Sequence, residues 1–145
     1  MNKSLKLGSL LVLLGILGLA LGYAIITNLA IPNVGNVKTV GVQVYWDQAK
    51  TDPCTLINWG FVDPGFSYNK TVYVYNPGNT NATLTMTVNN WNPAVAETYL
   101  TVTWNRQGTV LEAYLLTSAT ITLTVNPTVT NVTNFNFDLV FTGTT

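Results

Sequence analysis

Residues 76–88 read NPGNTNATLTMTV, a turn followed by a strand in which every second residue is threonine. Proline sets φ, and asparagine and glycine tolerate left-handed geometry, so NPGN ends one strand and launches the next. From Ala82 the period is two rather than 3.6. That spacing puts Leu84, Met86 and Val88 on one face and Thr83, Thr85 and Thr87 on the other. Threonine suits the wet face because its β-branch fits the pleated surface while its hydroxyl stays hydrated.

Outward from this stretch the same weave recurs. Val40, Val42, Val44 and Trp46 form one apolar row, Val72 and Val74 another, then Leu100, Val102 and Trp104, then Ile121, Leu123 and Val125, then Phe135, Phe137, Leu139 and Phe141. TLINWGF is a weaker row, and TVLEAYLL a further candidate strand. Thr120, Thr122 and Thr124, and Asn134, Asn136 and Asp138, form further outward rows. Turn signals separate the rows at DPG 63–65, NWNP 90–93, NRQG 105–108 and NP 126–127. Short strands spaced by about ten residues, without a convincing amphipathic helix, predict two antiparallel sheets packed face to face. The fold class is therefore all-β, an immunoglobulin-like β-sandwich preceded by an N-terminal hydrophobic signal or anchor segment.

Charged residues make up only 8% of the 145-residue chain, so threonine, asparagine and attached sugars must carry its solubility. Beyond the N-terminal apolar run four cations stand against six acids, a net charge of −2. Nucleic-acid binding, which needs a basic stripe, is not expected. The chain has no histidine, which excludes histidine-based nucleophilic catalysis and histidine zinc sites. The six acids form no informative pair, so no catalytic residue, metal or cofactor is expected. Asp47, Asp52 and Asp63 lie in irregular stretches, but their spacing matches no calcium loop and they read as solvated turn residues.

Lys3 and Lys6 precede an uncharged run from Leu7 to Ile31. Two readings compete: a signal peptide over residues 1–24, with Gly22 and Ala24 as the small residues before the cut, or an uncleaved transmembrane anchor reaching residue 31. Cleavage after Ala24 is favoured. Under either reading the lysines stay inside and the rest is carried out, so the protein is expected to be secreted, extracellular or at the cell surface. It touches the membrane only through this segment, if uncleaved. Asn69 in NKT, Asn81 in NAT and Asn131 in NVT are sequons at turn or strand-edge positions, and N-linked glycans are expected there. Cys54 is the sole cysteine, which excludes an intramolecular disulfide and reads as a buried thiol. Trp46, Trp59, Trp91 and Trp104 could stack on sugars, but Trp46 and Trp104 continue apolar rows and core packing is the preferred reading.

Cleavage after Ala24 would start the mature chain with Ile25, Thr27, Leu29 and Ile31 in alternation, followed by the flexible joint PNVGN. Residues 25–37 are then donor strand and linker, and the domain spans 38–145. A free apolar arm is not left in water; it folds back as an edge strand or completes the sheet of the next subunit. The second route gives head-to-tail contacts that need not close.

The succession GVQVYWD, INWG, PGFSYNKTVYVYNPGNTNATL, NNWNP, LTVTWN and NFNFDLVFTG, over residues 41–143, resembles small secreted archaeal proteins with one immunoglobulin-like domain. It looks like the subunits of archaeal bundling pili, a family similar to the bacterial biofilm-matrix filament protein TasA. The resemblance implies polymerisation by donor-strand complementation, with the donor on residues 25–37, the protein itself as partner and no catalytic residue. The expected function is a structural subunit of an extracellular filament. The alternatives are a membrane-anchored cell-envelope domain and a sugar-binding module.

Overall fold

The computed structural model describes residues 33–145. The period-two rows become strands β1 Asn33–Val40, β2 Gln43–Tyr45, β3 Leu56–Gly60, β4 Ser67–Tyr75, β5 Ala82–Asn92, β6 Leu100–Trp104, β7 Val110–Leu111, β8 Leu116–Val125 and β9 Asn136–Thr144. One turn of helix, α1 Ala96–Tyr99, precedes β6. Among the described residues no helix is long and apolar enough to cross a membrane.

The strands form a five-stranded sheet in the order β3-β1-β9-β5-β7 and a four-stranded sheet in the order β2-β4-β8-β6. The chain is thus an all-β protein of two sheets, with the core rows between them. Ile57, Val72, Val74, Leu84, Ile121, Leu123, Phe137, Leu139 and Phe141 are fully buried there. Thr83, Thr87 and Thr124 stay exposed on the outer faces, as the alternation predicts.

Strand directions define two poles. β1 and β9 both begin at the lower pole, where the 61–66 loop, the 93–99 segment and the 126–135 loop also lie. The β1–β2 turn, the 76–81 turn, the 105–115 segment and the end of β9 make the upper pole.

Four expectations need correction. Residues 33–37, expected as linker, belong to the sheet. Asn33 donates from Nδ2 to the Gly60 carbonyl at 2.9 Å and accepts the Phe135 N–H at 3.1 Å, which pins the start of β1. The globular part therefore begins no later than Asn33. The sheets are also not wholly antiparallel: β1 pairs with β9 in parallel, from Val34↔Asn136 to Val40↔Thr142.

The row Val40, Val42, Val44 is split at Gly41, so Val40 is 58% exposed on the outer face of β1 while Val42 and Val44 are buried. Gly41 sits at φ +72°, and a Cβ there would collide with the Gly143 carbonyl oxygen, so only glycine fits this crossing between sheets. TVLEAYLL contributes just the two residues of β7 before Tyr114 turns to φ 61°. Asp138 lies on the outward row that the alternation predicts. It points away from the core, yet neighbouring strands leave it only 7% exposed.

These positions grade the cost of truncation. Phe137→Ala should destabilise the domain by about 3–5 kcal/mol, as for other buried aromatics. Thr85→Ala, on the opposite face of its strand, should cost about 0.5 kcal/mol or less. Trp104, half-buried in β6 at the sheet edge, should fall between them. Denaturant melts that gave equal losses at all three would invert the assigned facing.

Candidate functional site

Two seams run between the sheets, and the chain treats them differently. On the β3/β2 side, the segment 46–55 spans the gap and leaves a hollow of about 270 Å³ lined by Val37, Thr39, Val44, Tyr45 and Cys54. Cys54 donates its N–H to the Val44 carbonyl at 2.9 Å, Trp46 to the Asp52 carbonyl at 2.8 Å, and Val37 to the Thr55 carbonyl at 2.9 Å, so this segment is tied to both sheets. Cys54 is buried inside the closure, and burial, helped by the Asp52 charge, pushes its thiol up to about 12. A thiol this basic stays protonated and unreactive at neutral pH.

The β5/β6 seam is open. β5 pairs with β9 along its length, but on its other edge β7 covers only Ala82 and Thr83. The 105–111 segment reaches a little further: Leu84 donates its N–H to the Thr109 carbonyl, and Gly108 donates to the Leu84 carbonyl, both at 2.8 Å. Next comes a side chain, Gln107, whose Oε1 accepts the Met86 N–H at 3.0 Å and the Trp104 Nε1–H at 2.6 Å. From Val88 to Asn92 no described strand pairs with this edge, and β6 pairs only with β8.

Met86, Val102, Thr103, Trp104 and Gln107 line a cavity of about 240 Å³ in this seam. A shallower hollow continues along Val88 to Trp91, with Ala94 and Glu97 on its far wall. Val88, Val102, Trp91 and Trp104 are only partly buried although they pack against the core. A row of half-covered apolar side chains beside an unpaired strand edge can accept an added strand, with hydrogen bonds from its backbone and pockets for alternate side chains.

The floor of the seam is anchored from the other face of the sheet. The β5 register shifts between Asn89 and Asn92, and Asn90 takes φ 56°, which turns its side chain toward β9. Asn90 Nδ2 donates to Asp138 Oδ2 at 2.6 Å, Lys38 Nζ to the same oxygen at 2.5 Å, and Asn36 Nδ2 to Oδ1 at 3.3 Å. The hydrogen bond from Lys38, then those from Asn90 and Asn36, outweigh desolvation and hold the Asp138 carboxyl below its ordinary 3.8. Three strands, β1, β9 and β5, are thereby tied through one carboxylate.

The sequence-derived site residues fall apart in space. Ile25, Thr27, Leu29 and Ile31 lie outside the described residues. Asn69 is exposed on the outer face of β4, its Oδ1 accepting from the Thr122 hydroxyl at 2.8 Å. Asn81 is exposed at the upper pole and accepts the Ala113 N–H at 3.3 Å; Asn131 is exposed at the lower pole with φ 59°. Asp47 does not face a ligand: its carboxylate accepts from the Thr51 hydroxyl and from the Thr51 and Asp52 N–H groups, which lowers its pKa. No group of three or more His, Cys, Asp or Glu side chains converges among the described residues. In sequence Gln107 is only part of the turn NRQG, because a glutamine three residues after a tryptophan is too common a pattern to single out. Comparison with known protein families and with curated proteins found no match.

Two outcomes follow. Because the folded carboxyl of Asp138 titrates below its unfolded value, its contribution to stability is present above about pH 4 and is lost as pH falls through the lowered value. In thermal melts the gap between wild type and Asp138→Asn should hold steady at neutral pH and narrow below about pH 4; a gap unchanged down to pH 2 would sink this assignment. Sugars should occupy at least one of Asn69, Asn81 and Asn131 in protein from the native source. An intact mass equal to the bare processed chain would reject that.

Proposed function

We propose that this protein is a structural subunit of an extracellular filament, polymerising head to tail as the N-terminal arm of one copy adds a strand in the open β5/β6 seam of the next. The observation that carries this reading is the unpaired stretch of β5: from Val88 to Asn92 no described strand pairs with its outer edge, and half-covered apolar side chains lie beside it. The arm has the matching character. Ile25, Leu29 and Ile31 are apolar at alternate or doubled spacing, so in an extended strand they share one face and can fill hollows lined by Met86, Val88, Val102 and Trp104.

Length agrees as well. Residues 25–32 span about 27 Å when extended, close to the roughly 23 Å of β5 from Met86 to Asn92. Pairing would extend the ladder along the β5 edge beyond Met86, where no described strand pairs, and bury the neighbouring apolar side chains, the two terms that drive strand addition. The chain enters the sandwich at the lower pole, so an arm preceding Asn33 has that pole as its point of departure. In this reading the resemblance to archaeal bundling pilus subunits reflects a shared mode of assembly. The sequons and low charge suit a surface outside the cell.

A chain that begins at Asn33 should fold, remain β-rich by circular dichroism and stay monomeric in light scattering. A cut at Lys38 would instead remove half of β1 and test something else. Leu29→Asp with Ile31→Asp should also block assembly, because a carboxylate buried without a partner costs several kcal/mol at each junction. Electron microscopy reads the outcome, and mass spectrometry of the native protein should place the mature N-terminus near Ile25. Fibres of normal width from the chain beginning at Asn33, or an intact N-terminus, would make the membrane-anchored envelope domain the better account.

A further inference from the structure

Among the described residues the exposed large apolar side chains gather at the two poles, where Val40 also ends β1, with Leu56 on edge strand β3 as the exception. Phe61, Phe66 and Val95 lie in the lower-pole segments and Val110, Tyr114 and Leu115 at the upper pole; the phenylalanines and the tyrosine are 68, 62 and 61% exposed. The sheet faces between carry mostly threonine and asparagine.

Neither loop is slack. At the lower pole the Phe66 carbonyl accepts the Val125 N–H at 2.9 Å, and Gly65 donates its N–H to the Val125 carbonyl at 3.0 Å. The Tyr68 hydroxyl accepts the Asp63 N–H at 2.8 Å and donates to its carboxylate at 3.2 Å. At the upper pole Asn76 donates its N–H to the Leu115 carbonyl at 3.0 Å, and Asn76 Nδ2, itself buried, donates to the Leu111 and Glu112 carbonyls. Tyr114 is held at φ 61°, a conformation that is unfavourable for a bulky residue and persists only where the surroundings enforce it. Both poles thus hold aromatic side chains out in water on backbone that cannot easily retract them.

We propose that the two poles are the halves of one contact, the lower pole of one copy seated on the upper pole of the next, with Phe61 and Phe66 against Tyr114 and Leu115. The occupant is a second copy because the chain enters its domain at Asn33 on the lower pole: an arm that engages another subunit departs from this pole and brings that subunit against it. The inference rests on the filament reading above and deepens it. Unlike poles make a heterologous contact, which repeats along an axis instead of closing a pair. The contact also sorts the sequons. Asn81 and Asn131 lie at the poles, so the sugar belongs on Asn69, out on a sheet face.

The test uses the full chain exported by its native host, with polymer and subunit separated by sedimentation. Phe61→Ser with Phe66→Ser, and separately Tyr114→Ser with Leu115→Ser, should each raise the critical concentration for assembly by at least about tenfold. All four together should do little more than either pair, because both pairs remove the same contact. Melting of the dissociated subunit should not change, since these side chains are exposed, and Phe61→Leu with Phe66→Leu should assemble within about threefold of wild type. Serine pairs that assemble at the wild-type concentration, or a fourfold variant whose effect is the product of the two pairs, would overturn the pole contact. Leu29→Asp reports on the arm alone: if it polymerises like wild type the arm reading fails, whatever the poles do.

Discussion

The placement of β9 between β1 and β5 is the constraint on which the remainder of the domain depends. Its inward row is aromatic, and the neighbours are cut to fit it. Phe135 and Phe137 stack at 5.9 Å, Trp91 from β5 leans on Phe137 at 4.5 Å, and Trp104 from the opposite sheet meets Phe141 edge-on at 5.2 Å. On the β1 side the Phe137 ring fills the space where a side chain would start: a Cβ on Gly35 would come within 2.8 Å of it. On the outer face Asp138 collects Lys38, Asn36 and Asn90 from the same two flanking strands. One strand therefore sets the register of its neighbours twice, by shape inside and by charge and hydrogen bonding outside.

The parallel pairing of β1 with β9 has a topological effect. It brings Asn33, the start of the described chain, to the pole where β9 begins. The opposite edge of the same sheet is where strand pairing runs out, because β7 is only two residues long.

A protein this poor in charge relies on other devices against nonspecific association. Threonine rows hydrate the sheet faces, Asp138 is kept ionised, and Cys54 is kept buried and basic. Apart from Leu56, the large side chains that remain apolar and exposed lie at the poles. In the proposed filament those are the surfaces that a neighbouring copy covers, with the glycan on a face that stays free.

The sequence by itself determined the fold class, because a period of two in apolar and threonine positions has one structural meaning and the turn residues punctuate it. It also marked the core row of β9 and the exposed sequons. It did not determine which strands pair. Val40, Val42 and Val44 look like one row, and only the turn at Gly41, where the Gly143 carbonyl leaves no room for a Cβ, sends them to different surfaces. Residues 33–37 look like a joint because Asn-Val-Gly-Asn suits a turn equally well; their partners, Gly60 and Phe135, lie far along the chain. The outward face of Asp138 was legible but its burial was not, because alternation says nothing of the height of its neighbours. The open seam was illegible for the same reason: an unpaired edge is defined by which strand fails to arrive, and that is decided by long-range packing and not by local pattern.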